Sequence, residues 1–276
     1  MNDNNYVTGD KLLNHIILID NPKIRYIKTD FIKKRKKFYV KIENWRGFNE
    51  RVDLREIEIL VTGHSDNQID ENELDILNLS NLKLWICQNK NVSHPKLISI
   101  PIGITNYDEP NSKIHKIIGN TDKLYNIAQQ SKNIENLVYL NITVKNFPKE
   151  RKKIVSLYSD KKWVTFDKPD QTNMGHTNFI NKIRNHKFIF APRGNGIDTH
   201  RIWEAIYLKT IPIVKKCIGM ENFYHLPILF VDTWDDITEE YLNLKYEEIN
   251  NKKHDLSMVN INYWYKLLIE ISNISN

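Results

Sequence analysis

KFIFAPRGNGIDTHRIWEAIYLKTIPIV, the stretch from Lys187 to Val214, predicts a buried strand, a polar turn, a helix and a second strand. Gly194 and Gly196 open the turn, where glycine permits positive φ and the close approach of a ligand. The first turn of the following helix has backbone N–H groups without intrahelical partners, and these groups face the polar turn. The arrangement is typical of an anion-binding site, and phosphate is the expected ligand.

Charged residues strengthen this prediction. Arg193 and Arg201 place two permanent positive charges beside the helix N-terminus. We expect Asp198 or Thr199 to cap the helix, because either side chain can accept a hydrogen bond from a free N–H group. The candidate binding residues of the segment are Arg193, Gly194, Asn195, Gly196, Asp198, His200, Arg201 and Glu204.

Glu204 extends the prediction from a phosphate site to a nucleotide site. It follows Arg201 by three residues and so lies on roughly the same face of the helix. A carboxylate there could accept hydrogen bonds from two vicinal hydroxyl groups, which a ribose offers. The alternative is a surface helix on which Arg201 and Glu204 pair only with each other. Neither the dinucleotide fingerprint G-x-G-x-x-G nor a G-x-x-x-x-G-K-[ST] phosphate loop is present.

The segment PRGNGIDTHRIWEA, followed by TIPIV, resembles the C-terminal signature of the exostosin-like glycosyltransferases. Other segments resemble landmarks of that family in the same order: VTGHSD at 61–66, ISIPIGI at 98–104, and LVYLNIT at 137–143 with Arg151 downstream. The resemblance covers roughly residues 55 to 235. Arg193, Arg201 and Glu204 match the donor-binding motif of the family position by position.

The resemblance implies an α/β fold of the glycosyltransferase-B type, in which two Rossmann-like domains face a cleft. It implies a nucleoside-diphosphate sugar on the C-terminal domain, and inverting transfer of the sugar to an acceptor hydroxyl without a catalytic metal. We expect the donor to be UDP-linked. At 276 residues we expect the chain to be without the membrane anchor, stem and long N-terminal regions of animal and plant members, so we do not carry over their acceptor specificities.

A second candidate site is TGHSDNQ, Thr62 to Gln68, directly after a predicted strand. Placed across a cleft from the donor, His64 or Asp66 could act as the catalytic base that takes the proton of the acceptor hydroxyl. The alternative is a turn in which Asp66 accepts hydrogen bonds from its own backbone.

Four further residues are weaker candidates for donor binding. Gly103 would let the main chain approach the donor phosphates, although it could equally be a simple turn glycine. Asn141 and Thr143 lie at the end of a predicted strand, where side chains commonly point into a cleft. Arg151 could reach the same anion.

Composition predicts a globular protein. With 41% hydrophobic residues among 276, the chain has enough apolar material for one large domain or two compact ones. No apolar run approaches the about 18 residues of a membrane span and no signal-peptide core is evident, so we expect a cytoplasmic protein. Cys87 and Cys217 are expected to be reduced and buried.

Charge and metal-ligand patterns are less informative. The net charge of +6 permits an acidic partner, and the run KKRKK from Lys33 to Lys37 could bind nucleic-acid phosphates or an anionic membrane surface. The same lysines could instead keep the edge of a hairpin soluble. No C-x-x-C or H-x-x-x-H motif occurs, and VDTWDD at 231–236 has the wrong spacing for a diphosphate-bound metal, so no metal is expected.

Apolar runs predict two alternating α/β halves with mostly parallel sheets. Strands are predicted at 15–20, 38–42, 57–62, 84–87 and 97–100, then at 137–141, 163–166, 188–191, 211–214 and 228–231; helices are predicted at 149–158, 177–185, 199–208, 238–249 and 256–271. We place the boundary in the polar stretch 106–136. This gives an N-terminal acceptor-side domain at 1–120, a donor-binding domain at 121–255 and a C-terminal helix at 256–276 that packs back on the first domain.

The sequence therefore predicts a glycosyltransferase that acts on a nucleotide sugar and on a glycan or another hydroxyl-bearing acceptor. A nucleic-acid acceptor is possible but not favoured, and no cofactor beyond the donor is expected. The alternative is a non-catalytic protein that binds a sugar nucleotide or nucleic acid on the same scaffold.

Overall fold

The computed structural model describes residues 7, 37–41, 54–63, 65–105 and 115–273. The predicted strand at 15–20, residues 33–36 of the basic run and His64 lie outside the described residues.

The first sheet has four parallel strands in the order β1-β2-β3-β4. They are β1 (Lys37–Lys41), β2 (Ile59–Gly63), β3 (Leu84–Cys87) and β4 (Leu97–Ser99), and the helix α1 (Leu74–Leu77) lies between β2 and β3. All residues of β2 and β3 are buried. Parallel strands covered on both faces need continuous apolar runs, which explains why these strands could be predicted to within two residues of their observed ends.

The second sheet has five parallel strands in the order β6-β5-β7-β8-β9. They are β5 (Asn136–Leu140), β6 (Val164–Phe166), β7 (His186–Phe190), β8 (Ile211–Lys215) and β9 (Leu229–Val231). The chain moves outward to β6 and then crosses to the other side of β5 to form β7. This reversal of direction creates a crevice between the carboxyl ends of β5 and β7, which is where open α/β sheets bind ligands.

Within the described ranges, seven more helices accompany the sheets: α2 (His115–Ile118), α3 (Thr121–Gln129), α4 (Pro148–Tyr158), α5 (Asn173–Arg184), α6 (His200–Tyr207), α7 (Glu239–Asn250) and α8 (Ile261–Asn273). Three of the predicted helices, now α4, α6 and α7, are confirmed with shifts of one residue. The helix predicted at 177–185 begins earlier, at Asn173, because the Thr172 side chain accepts a hydrogen bond from Gly175 N at 3.0 Å and caps it. The last helix begins later than predicted, at Ile261, after a separate 3₁₀ turn at Ser257–Val259.

The stretch predicted as a polar boundary, 106–136, contains regular structure. Its described part forms α2 and α3, and Asn120 caps α3 by accepting a hydrogen bond from Lys123 N at 2.9 Å. On α3, Leu124 and Ile127 are buried in the same apolar cluster as Ile180 of α5. These helices were missed because α2 has only four residues and because polar residues outnumber the apolar ones in α3.

One hydrophobic core joins the two sheets. Val61 and Ile86 of the first sheet belong to the same cluster of buried residues as Ile189 and Val214 of the second, together with Trp203 of α6. Parallel α/β sheets of this kind are Rossmann-like, and here two of them share apolar packing.

The C-terminal segment packs into the same shared core. Trp264 of α8 is completely buried in it. The Tyr207 hydroxyl donates to Val259 O at 2.6 Å and accepts from Val7 N at 3.0 Å. The segment is therefore attached both to α6 and to the N-terminal part of the chain.

Two expectations from composition can be compared with the structure. Both cysteines are free, but only Cys87 is buried, whereas Cys217 is partly exposed. Among the described residues, no helix combines the length and apolar character needed to cross a membrane.

Candidate functional site

A cleft of 350 Å³ lies at the carboxyl ends of β5 and β7. Its walls come from both halves of the chain: Asp66, Ile102 and Thr105 belong to the first, and most of the remaining lining belongs to the second. The residues predicted from sequence that line it are Asp66, Asn141, Thr143, Arg151, Gly194, Asn195, Gly196, Asp198, His200, Arg201 and Glu204. The turn, the helix N-terminus and the TGHSDNQ segment, which are far apart in sequence, thus meet in one place.

Two residues that were predicted to bind the donor, Arg193 and Gly103, do not line the cleft. The Arg193 guanidinium lies over the ring of Phe147, with Cζ 4.5 Å from the ring centroid, and donates to Asn195 O at 3.3 Å. Gly103 also lies outside the cleft lining. Its φ of +70° requires glycine, and an added Cβ would overlap the carbonyl oxygen of Val7. Gly103 is therefore a turn glycine packed against another segment, and it does not bring its main chain to a ligand.

Arg151 has a structural role at the crevice between β5 and β7. It is 4% exposed, and its guanidinium donates to Arg193 O at 2.8 Å, Thr143 O at 3.1 Å and Pro192 O at 3.2 Å. These carbonyl groups belong to the loops that follow β7 and β5. Arg151 thus ties the two loops together, and it also lines the cleft and contributes positive charge to it.

Arg201 provides the second positive charge of the cleft. It lies in the first turn of α6, about 5.5 Å from the Phe179 ring centroid, and its buried Nε has no partner among the described residues. Burial and the nearby Arg201 charge lower the pKa of Arg151 to about 10. Two guanidinium groups that repel each other in this way favour the binding of an anion between or beside them.

Glu204 is the buried carboxylate of the cleft. It is 7% exposed, and no hydrogen bond to its carboxylate comes from the described residues. Burial raises the pKa of Glu204 to about 7, although the charge of Arg201 acts in the opposite direction. The Glu204 oxygens are not among the fully buried atoms that lack a partner, so they are open to the cleft and have capacity to accept hydrogen bonds there.

Asp198 or Thr199 was predicted to cap the helix, and Asp198, which lines the cleft, was also predicted to contact a ligand. Thr199 occupies the N-cap position, and its side chain makes no capping hydrogen bond. The Asp198 carboxylate instead accepts from Ile102 N at 2.7 Å and from Trp203 Nε1 at 2.8 and 2.9 Å. Asp198 therefore joins α6 to the loop after β4.

Other polar contacts support the same connection between the two halves. His200 Nδ1 donates to Gly103 O at 2.7 Å. Asn89 Oδ1 accepts from Asp198 N at 2.9 Å, while its Nδ2 donates to Ser65 O at 2.9 Å. These contacts hold the first-half loops at the rim of the cleft.

Asp66 lies at this rim. Its side chain is exposed, and Oδ1 lies 3.1 Å from the position that a Cβ on Gly196 would occupy. The glycine turn and the TGHSDNQ segment are therefore in close contact, and any larger residue at position 196 would crowd both Asp66 and Asn89. The structure brings the predicted base Asp66 to the cleft, whereas His64 is outside the described residues.

Sequence reasoning missed two residues of α5 that line the cleft. His176 is 5% exposed, and its ring stacks on that of Phe179 at a centroid distance of 6.3 Å. The only sequence signal was the capping threonine four residues earlier, which would have extended the predicted helix to include position 176.

A larger cavity of 510 Å³ lies beside the cleft and shares Asn141, Asp170 and Phe179 with it. Its charged lining is a mixture of carboxylates and lysines and includes no arginine. We place the candidate site in the smaller cleft, because the arginine side chains and the unpartnered carboxylate converge there.

The described part of the chain contains no group of three or more His, Cys, Asp or Glu side chains suited to a metal ion. Comparison with known proteins adds no identification, since no family model and no curated protein matches this chain.

Proposed function

We propose that this protein is a glycosyltransferase that transfers a sugar from a nucleoside-diphosphate sugar, UDP-linked, to an acceptor hydroxyl. The observation that carries the proposal is the convergence of Arg201, Arg151 and the unpartnered, buried Glu204 on one cleft at the crevice between β5 and β7. Its volume of 350 Å³ falls within the usual range of about 300–1,000 Å³ for small-molecule sites.

In this proposal the diphosphate lies at the N-terminus of α6. The Arg201 guanidinium supplies hydrogen bonds and positive charge, the N-terminal end of the helix dipole favours an anion, and Arg151 adds charge from between the two loops that it joins. The same groups would stabilise the charge that develops on the diphosphate as the sugar leaves, which is the task that a metal ion performs in other transferases.

The ribose of the donor is assigned to Glu204. A vicinal diol has two O–H donors, and the carboxylate of Glu204 has acceptor capacity that the described residues leave unused. Arg201 and Glu204 interact electrostatically, but no ion pair within 4 Å joins them among the described side chains, which supports the assignment of both residues to a ligand over the alternative in which they serve only each other.

The acceptor is assigned to the side of the cleft formed by the first half, where Asp66 lies. The structure fits a Rossmann-like fold but not the predicted two domains facing a cleft, since one core joins both sheets; the proposal keeps from the glycosyltransferase-B arrangement only a donor site with walls from both halves of the chain. The shared core and the contacts of Asp198 imply that these halves move little relative to each other. Inverting transfer and a cytoplasmic location belong to the proposal as well.

The first test is turnover of the donor by the purified chain. We expect release of UDP from at least one of UDP-glucose, UDP-galactose and UDP-N-acetylglucosamine, slowly onto water and faster with a suitable acceptor. Because arginine side chains and helix N–H groups supply the positive charge, excess EDTA should leave the rate nearly unchanged. UDP release followed by chromatography, with and without EDTA, measures both effects.

Each outcome separates the alternatives. Tight binding of UDP without turnover of any donor would favour a non-catalytic sugar-nucleotide binding protein. Loss of activity in EDTA that manganese restores would contradict the metal-independent mechanism. If the chain bound neither UDP nor any of the three UDP-sugars, the proposed function itself would be contradicted.

The second test uses the distinct roles of Arg201 and Glu204. Arg201→Ala should weaken binding of UDP roughly 10- to 100-fold but change uridine binding little, since it removes a charge-assisted contact to phosphate. Glu204→Ala should weaken both UDP and uridine, by about 30- to 1,000-fold, because two bonds to the shared ribose are lost. Arg193→Ala should weaken UDP binding less than Arg201→Ala, because the Arg193 guanidinium lies over Phe147 and outside the cleft lining. Calorimetric titration of each variant with both ligands measures these effects.

Matched controls are Lys216→Ala and Glu240→Ala, which remove exposed charges that do not line the cleft. Both should keep wild-type affinities. If Arg201→Ala lost UDP affinity and uridine affinity equally, the assignment of Arg201 to the diphosphate would be wrong. If folded Glu204→Ala kept normal affinities for both ligands, the assignment of Glu204 to the ribose would be wrong.

A further inference from the structure

His176 has a built environment that the functions assigned above do not use. It lies in the first turns of α5, whose start is held by the Thr172 cap and by close packing of Gly175 against Asp170. Its imidazole stacks on Phe179, which also lies under the guanidinium of Arg201. The ring is therefore held in one orientation beside the proposed donor site.

The hydrogen-bonding capacity of His176 is incompletely used. The side chain is 5% exposed, and its buried Nδ1 has no partner within the described part of the chain. Burial, assisted by the charge of Lys123, lowers the pKa of His176 to about 4, so the ring is neutral near pH 7. The Ile117 backbone forms a hydrogen bond with the ring, which acts to raise the pKa, so the unused capacity is at Nδ1, the acceptor nitrogen of the neutral ring.

His176 and Glu204 share a second space in addition to the cleft. A small cavity of 10 Å³ is lined by both residues, and it adjoins the cleft through Thr105 and Ile118. A volume of this size is about that needed for one water-sized group. A hydroxyl group has the same size, and both the Glu204 carboxylate and the acceptor Nδ1 of His176 can accept a hydrogen bond from its proton.

We propose that His176 and Glu204 together bind one ribose hydroxyl of the donor nucleotide in this small cavity, an inference that rests on the proposed function. His176 is then a specificity-determining residue, because it makes the site select ribonucleotides over nucleotides that lack that hydroxyl. A site built to bind a hydroxyl rejects an analogue without it, since the buried polar groups are left unpartnered.

The experiment compares UDP, 2′-deoxy-UDP and 3′-deoxy-UDP by calorimetric titration of the full chain. We expect the wild type to prefer UDP over one of the two deoxy nucleotides by roughly 10- to 100-fold. In His176→Phe, which keeps an aromatic ring on Phe179 but removes both nitrogens, that preference should fall at least about threefold. His176→Asn, which restores an acceptor and a donor, should recover part of it.

Two further variants keep the test informative. Glu204→Gln should lose preference for the same hydroxyl as His176→Phe, and this comparison remains available if the phenylalanine variant fails to fold. His225→Phe, which replaces a histidine outside the cleft, should behave as the wild type.

The inference is overturned if folded His176→Phe keeps the wild-type preference, or if all three nucleotides lose affinity equally in it, which indicates a structural role alone. It is also overturned if the His176 and Glu204 variants affect different hydroxyls, or if the wild type binds all three nucleotides equally. In each of these cases UDP binding, and with it the proposed function, survives. A wild-type chain that binds none of the nucleotides contradicts the proposed function instead.

Discussion

Asp66→Asn is expected to lower the rate of sugar transfer by roughly 10²- to 10⁴-fold while UDP affinity stays within a few-fold of the wild type. Asp66 is the carboxylate that the first half places at the cleft, and it is exposed, so it can meet an acceptor hydroxyl. Asparagine has nearly the same shape but cannot take a proton. The donor contacts lie on α6 and should be unaffected.

The measurement is kcat and UDP affinity side by side for Asp66→Asn and His64→Ala, with UDP release onto water as the assay until an acceptor is known. Asp75→Asn, an exposed carboxylate on α1 away from the cleft, is the matched control. A large effect in His64→Ala alone would assign the base to the histidine, whose ordinary pKa near neutrality suits that role. Near-normal rates in both variants would make the loop structural and contradict this assignment.

Asp198→Ala is expected to destabilise the protein by about 3–5 kcal/mol near pH 6, because it leaves the buried N–H groups of Ile102 and Trp203 without their acceptor. It also breaks a direct link between the loop after β4 and the start of α6. Urea denaturation followed by circular dichroism measures the change, and an unchanged slope would show that stability alone was altered.

The same variant has a pH signature. Burial raises the pKa of Asp198 to about 7, although the hydrogen bonds from Ile102, Trp203 and Thr199 lower it. A carboxyl group in the unfolded chain has a pKa of about 3.9. Between these values the folded protein holds a proton that the unfolded chain has lost. The stabilising contribution of this titration is therefore complete below about pH 4 and is lost as the pH rises through about 7.

The stability difference between wild type and Asp198→Ala should thus be larger at about pH 5 than at about pH 8. The control is Asp235→Ala, which removes an exposed carboxylate paired with Lys153 and should cost less than about 1 kcal/mol. A loss in Asp198→Ala no larger than in the control, or a difference that grows with pH, would contradict the role given to Asp198.

Local signals in the sequence determined much of the fold. Parallel strands buried on both faces must be nearly all apolar, so runs such as LWIC at Leu84–Cys87 were found at their observed positions. The glycine turn before HRIWEA likewise predicted α6 to within one residue, because a strand, a turn and a helix N-terminus each leave their own pattern. The positions of Arg201 and Glu204 at one cleft follow from that helix alone.

Tertiary structure decided which of the polar residues are available to a ligand. Asp198 and Arg151 looked like ligand-binding residues by type, but their partners are backbone groups from other segments, Ile102 N and Pro192 O, which no local pattern reveals. Gly103 is required by the approach of Val7, nearly a hundred positions away in the chain. Conversely, His176 became a candidate only through packing on Phe179 and the absence of a partner for Nδ1 among the described residues. Residue type and spacing set what a side chain can do, whereas hydrogen-bond satisfaction in the folded chain determines which side chains still have that capacity for a ligand.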